Sequence, residues 1–313
     1  VVASPAASPT SGPDLLARVL EGGLLGVILL APLPFGGVTP AGRLALELSA
    51  LVLLVLWSVR TVRQPGPCPS RLVGIGLAGL LLFGLVQAIP VGEGVVSAMS
   101  PGRMEIHEES HPPADALAAE ERALGADPIA LEPAPALSVA ADLTASAVRT
   151  GTALAALLLV ACTVVAVCGP RRLALAAVVS AAFQGLHGIL VLASGHDMIW
   201  NVPKRYYLDC ATGTFVNRNH YAGFLEATLA VGLALAVYEA RRLSDRTGGT
   251  KASDWLGRRG SRVLLIGLAI VVGLAGLLLS FSRTGIALGL GALAWTWFLA
   301  GGRRVRTSLV VAA

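Results

Sequence analysis

Two short stretches hold most of the side chains able to do chemistry. In Gly213-Thr-Phe-Val-Asn-Arg-Asn-His-Tyr-Ala-Gly-Phe224, the residues Asn217, Arg218, Asn219 and His220 lie directly against an apolar run that continues to Val237. In Phe281-Ser-Arg-Thr-Gly285, Arg283 stands between two long apolar runs with almost no connection around it. Polar and charged groups at such a boundary are costly unless they are paired, wet or used. Guanidinium forks beside helix N-termini suit phosphate, because the unpaired N–H groups there carry partial positive charge. Asn219, with Ser282 or Thr284, has the chemistry of a helix cap. Lys204 and Arg205, followed by Tyr206 and Tyr207, add charge from the connection that precedes Gly213. The plainer alternative is that the arginines snorkel and the amides only cap. Four polar groups where one cap would suffice, and an arginine with almost no loop, favour the anion site.

Other candidates are weaker. His107-Glu-Glu-Ser-His111 matches the H-E-x-x-H zinc pattern, whose two histidines share a helical face with Glu as base. Pro112 and Pro113 follow at once, the surroundings are acidic and rich in Ala and Pro, and a solvated outer loop is the expected setting. No metal site is therefore assigned. His187, beside Gln184, is expected to make an interhelical hydrogen bond. Glu226, six residues into its apolar run, is a functional candidate because it is a carboxylate in a span, with neutralisation of Arg218 or Arg283 as the alternative; it and His220 are the two catalytic candidates. Glu21 and Glu47 are expected to be structural partners of basic groups.

The elements that must position these residues are membrane spans. Hydrophobic residues make up 55% of the chain, charged residues only 14%, and mean hydropathy is +0.73, far from the roughly one-quarter charged of a soluble domain. The 36 glycines suit close helix contact where lipid supplies no hydrophobic drive between helices. An all-α, polytopic transmembrane bundle follows. Eight runs approach the ~20 apolar residues a span needs: 15–35, 43–59, 71–90, 148–168, 173–194, 220–238, 262–281 and 284–300, with a ninth starting within 301–313. Residues 1–14 read as a tail and 15–300 as the transmembrane core. Cys68, Cys162, Cys168 and Cys210 show neither zinc spacing nor a disulfide framework.

Basic residues set the orientation. The even-numbered connections are the basic ones: Arg60, Arg63 and Arg71; Arg171 and Arg172; seven Lys or Arg between Arg241 and Arg262; and Arg303, Arg304 and Arg306. Residues 239–262 are thus a basic cytoplasmic loop. The third connection, 91–147, carries 10 of the 19 acidic residues and reads as a long periplasmic loop. The N-terminus is cytoplasmic on this reading, and the two arginine-bearing stretches meet on the outer face. The net charge of +5 and pI of 9.4 are then topological, and no nucleic-acid partner is implied.

Thr214-Phe-Val-Asn-Arg-Asn-His-Tyr-Ala-Gly-Phe-Leu-Glu226, followed one hairpin later by Leu279-Ser-Phe-Ser-Arg-Thr-Gly285, resembles the O-antigen ligase and polymerase family. Pro32-Leu-Pro-Phe-Gly-Gly37, Gln87-Ala-Ile-Pro90 and Ser100-Pro101 are similar to the amino-terminal spans of that family, and the likeness runs over most of residues 20–300. The resemblance implies a metal- and cofactor-independent glycosyltransferase of the bacterial inner membrane. Such enzymes move a glycan from undecaprenyl diphosphate to a hydroxyl acceptor at the periplasmic face: lipid A core for a ligase, another glycan for a polymerase. Arg218 and Arg283 would hold the diphosphate, with Asn217, Asn219, Lys204 and Arg205 around them. Members continue through a large periplasmic loop whose histidine is the expected base; this chain ends at Ala313 and reads as an amino-terminal fragment. Two other classes compete. A transporter would recognise the same lipid diphosphate without chemistry, and a membrane metalloprotease would rest on His107, Glu108 and His111.

Overall fold

The computed structural model describes residues 14–64, 71–110, 135–247 and 257–300. They form ten α-helices: α1 (Leu15–Leu30), α2 (Pro40–Arg63), α3 (Arg71–Ala88), α4 (Glu93–Met99), α5 (Pro101–Ser110), α6 (Ala141–Cys168), α7 (Arg171–Ala193), α8 (Arg218–Thr247), α9 (Arg258–Leu279) and α10 (Arg283–Ala300). A two-stranded antiparallel hairpin, β1 (Met198–Ile199) and β2 (Val202–Pro203), is the only sheet among the described residues. The described residues are all-α apart from this hairpin, as the long apolar runs lead one to expect.

Five of the helices, α2, α6, α7, α8 and α9, are long and apolar enough to cross a membrane. The remaining three expected runs are helical but fall short, for local reasons. Helix α1 stops after 16 residues, because Pro32 and Pro34 cannot continue it and Gly36 turns the chain at φ +71°. Pro90 sets the limit of α3, which ends at Ala88. In α10 an N-terminal Arg283 and two tryptophans dilute an otherwise apolar stretch of 18 residues. The third connection is not an unbroken loop: α4 and α5 lie in it, and His107 sits on α5. His111 lies outside the described residues, as do 1–13, 248–256 and 301–313. Residues 239–247, expected in a loop, continue α8.

The chain divides into two compact units, residues 1–67 with 160–313, and residues 68–159. In the second, α3 meets the first part of α6. A Cβ added at Gly84 would lie 2.7 Å from Val148, and one at Gly151 would lie 3.1 Å from Leu81. Val91 N–H donates to Pro135 O and Ser138 N–H to Gln87 O, tying the end of α3 to the segment that leads into α6.

In the first unit, close packing rests on missing side chains. A Cβ on Gly185 of α7 would stand 2.8 Å from Val272 O and 3.0 Å from Gly273 Cα of α9. A Cβ on Gly285 of α10 would meet Ala222 Cβ of α8 at 2.4 Å, and one on Gly289 of α10 would meet Leu277 of α9 at 2.6 Å. Helices this close gain dispersion contacts that lipid cannot match. Ala181, Tyr221, Leu225, Leu229 and Leu277 fill the core they enclose.

The unit has two chemically different ends. At one end, Arg60 pairs with Asp14 at 3.0 Å, Arg172 with the buried Glu21 at 2.8 Å and Arg171 with Glu239 at 2.5 Å, while Arg241 donates to Ala300 O. The α1 N-terminus, the α2 C-terminus, the α7 N-terminus and the C-termini of α8 and α10 meet there. Glu21 has the structural role expected of it. Burial pushes the Asp14 carboxyl up, but the Ala17 N–H and Arg60 outweigh it and hold the group below the ordinary carboxylate range. The opposite end gathers the Pro32–Gly37 turn, the segment 194–217 and the N-termini of α8 and α10, and it contains both arginine-bearing stretches.

Candidate functional site

The segment between α7 and α8 is built before it can present anything. Lys204 Nζ bonds Asp197 Oδ1 at 3.2 Å and Cys210 O at 2.9 Å, with its side chain 2% exposed. Asp197 Oδ2 also accepts from Asp209 N–H at 3.2 Å. The Lys204 charge is neutralised inside the segment, so it staples the fold of the loop. Arg205 is exposed and has no ion pair among the described residues.

Residues Cys210–Phe215 then enter the bundle and are buried. A backbone with so little water around it must be satisfied by protein. Ala211 N–H donates to Leu279 O at 2.9 Å, and Thr214 N–H donates to Gln184 Oε1 at 2.9 Å. The Thr214 hydroxyl has one proton; it donates to Pro32 O at 2.7 Å and accepts from Gln184 Nε2 at 2.9 Å. Both amide ends of Gln184, wholly buried in α7, thus hold Thr214, and Thr214 links α7 to the Pro32 turn. Phe215 closes the plug over Gly36, where a Cβ would be only 2.4 Å from its ring. Burial pushes the Cys210 thiol up, with Lys204 and Arg218 partly offsetting it.

With the plug held, α8 begins at a defined point. Asn217 is its cap: Asn217 Oδ1 accepts from Asn219 N–H at 2.7 Å and Asn217 O accepts from Tyr221 N–H. The expected cap, Asn219, does something else, because its side chain is already past the first turn's start. Its Oδ1 accepts from Ser282 Oγ at 2.9 Å. Ser282 in turn caps α10, its O accepting from Ile286 N–H at 2.8 Å and its Oγ from Gly285 N–H at 3.4 Å. Asn217→Ala is expected to cost about 1 kcal/mol of stability, read as a lowered unfolding temperature in detergent; an unchanged temperature would show that the cap is dispensable.

One hydrogen bond thus joins the first turn of α8 to the start of α10, and the arginines are its sequence neighbours. Arg218 opens α8, with its guanidinium carbon 5.5 Å from the centroid of the Tyr207 ring, a cation–π contact. Its Nε is buried without a hydrogen-bond partner among the described residues. Arg283 opens α10 and is exposed. Neither is in an ion pair among the described residues, in contrast to Arg60, Arg171 and Arg172 at the opposite end. No family model, curated protein or solved structure matches the chain.

Beside the joined N-termini, a cleft of about 360 Å³ is lined by Asn219, Gly223, Glu226, Ser282, Thr284, Gly285 and Leu288. Glu226 stands against α10, its Cβ 3.4 Å from where a Gly289 Cβ would be. His220 is exposed on α8, and no contact among the described residues fixes its ring. His187 rests against Phe183 and Trp200, with ring centroids 5.9 and 5.1 Å away, and its Nδ1 is buried without a hydrogen-bond partner among the described residues. The interhelical bond expected of it is largely replaced by an aromatic cluster. Among the described residues no group of His, Cys, Asp or Glu could hold a metal ion. The sequence places Tyr207 beside Lys204 and Arg205 but does not signal its contact with Arg218, and nothing around Asp197 in the chain signals that it occupies Lys204.

Proposed function

We propose that this protein is a membrane glycosyltransferase that moves a glycan from undecaprenyl diphosphate to an acceptor hydroxyl, on lipid A core or on another glycan. One observation carries the reading: two arginines without counter-ions among the described residues open two helices whose N-termini are hydrogen-bonded together. Its topology is eight spans with a cytoplasmic N-terminus, since the arginine-rich end belongs inside by the positive-inside rule. The site then faces the periplasm of the bacterial inner membrane.

The acceptor oxygen forms a bond to the anomeric carbon as the bond from that carbon to the diphosphate oxygen breaks. The polyprenyl diphosphate leaves with one additional negative charge. Arg218, Arg283 and the N–H groups of α8 and α10 answer that charge with fixed donors, which need no reorganisation as it develops. The proton of the acceptor hydroxyl goes to a base; Glu226 lines the cleft, and His220 begins the same helix.

In proteoliposomes given a polyprenyl-diphosphate-linked glycan and a hydroxyl acceptor, glycan transferred and polyprenyl diphosphate released are expected in equal amounts. A polyprenyl monophosphate should compete for the site less well than the diphosphate. Movement of intact donor across the bilayer without release would instead identify a transporter, and indifference to both lipids would remove the reading.

A further inference from the structure

The arginine-rich end contains a feature that the transfer reading does not use. A groove of about 570 Å³ runs between α7, α8 and α9. Its floor is apolar: Val178, Leu235 and Ile266 are buried together. Its walls are apolar too, and Leu175, Val179 and Leu265 stay exposed along them, at 47, 52 and 64%. At its mouth are Arg171, Arg172 and Arg262 against a single acid, Glu239. Glu239 is held by Arg171. Arg172 gives one nitrogen to Glu21 and leaves its side chain 71% exposed. Arg262 is exposed and has no partner among the described residues.

From Arg171 to Ala182 the groove follows α7 for about 16 Å at 1.5 Å per residue. That is close to one leaflet of a hydrocarbon core about 30 Å thick. The charge sits at one end and the apolar floor runs inward from it, which is the polarity of an amphiphile with an anionic head. Guanidinium forks bind a phosphodiester bidentately, and basic pockets between spans take acidic headgroups. A zwitterionic headgroup would bring a quaternary ammonium among three guanidiniums, and a free phosphate would leave the floor unfilled.

We propose that this groove holds an anionic phospholipid of the adjoining leaflet, with its phosphodiester among Arg171, Arg172 and Arg262 and an acyl chain along Val178, Leu235 and Ile266. The proposal rests on the membrane setting of the bundle and not on the transfer reaction.

The test uses the purified full chain in detergent with phosphatidylglycerol, phosphatidylcholine or inorganic phosphate added, read by native mass spectrometry and by unfolding temperature. Phosphatidylglycerol should be retained and should raise the unfolding temperature, while the other two do neither. Arg262→Gln, which breaks no internal pair, should weaken phosphatidylglycerol about fivefold. Ala269→Phe, which fills the floor and keeps every arginine, should weaken it at least as much. Unfolding temperatures of the two variants without lipid show that they are folded. Equal retention of phosphatidylcholine, the same gain from inorganic phosphate, or wild-type retention by both folded variants would overturn the assignment. So would a second copy of the chain crosslinking through Leu265 with no lipid bound.

Discussion

Arg218→Ala and Arg283→Ala are each expected to lower glycan transfer by about two to three orders of magnitude, the usual loss when one fixed donor is removed from developing charge. Insertion and folding should survive, because neither guanidinium is part of an ion pair among the described residues. The two sites should not respond alike to lysine. Arg218 lies over Tyr207 with a buried Nε, and an ammonium cannot reproduce a planar fork stacked on a ring. Arg283 is exposed, so Arg283→Lys should keep more activity than Arg218→Lys. Transfer measured in membranes with equal amounts of inserted protein decides this. Wild-type rates in both alanine variants would remove the diphosphate site.

The largest structural effect is expected at Gly213. Its φ of +53° is in the left-handed region, which costs a residue with a Cβ about 1–2 kcal/mol. A Cβ there would also lie 2.4 Å from Gln184 Oε1 and 2.8 Å from Tyr221 Cε2, in the middle of the buried plug. Gly213→Val adds β-branching to both problems, and overpacking alone costs about 1–3 kcal/mol. Unfolding in detergent should move to clearly lower temperature, and transfer should fall with it, since the plug sets where α8 and Arg218 begin. Gly267→Ala is the matched control: nothing lies within 4 Å of a Cβ at that position, so its unfolding temperature should be unchanged or slightly higher. A Gly213→Val protein as stable as its parent would mean that the plug is not held as described.

Much of the frame is legible in the chain. All eight apolar runs are helices, and the ends of α7 at Arg171 and of α10 at Arg283 lie within two residues of their expected starts. Hydropathy and charge act residue by residue along the chain, so adding them up in order recovers where a span begins and which end is basic. The meeting of Arg218 and Arg283 at one end of the bundle follows the same logic, because an alternating chain returns to the same side every second connection.

Partner choice is different in kind. Lys204 is as basic as Arg218, yet only the fold shows that Lys204 is neutralised by Asp197 while Arg218 keeps its charge unmatched. Asn217 and Asn219 are the same residue type two positions apart. One caps its own helix and the other reaches Ser282, 63 positions away. Gln184 and Thr214 meet across 30 positions, and Thr214 also donates to Pro32 O, 182 positions away. By itself the sequence determined the helical class, the positions of the apolar runs and the side on which charge collects. Tertiary structure alone decided which polar groups are spent on one another and which are left for a ligand. A hydrogen bond depends on distance and direction between groups far apart in the chain, and no local sum of propensity or hydropathy contains them.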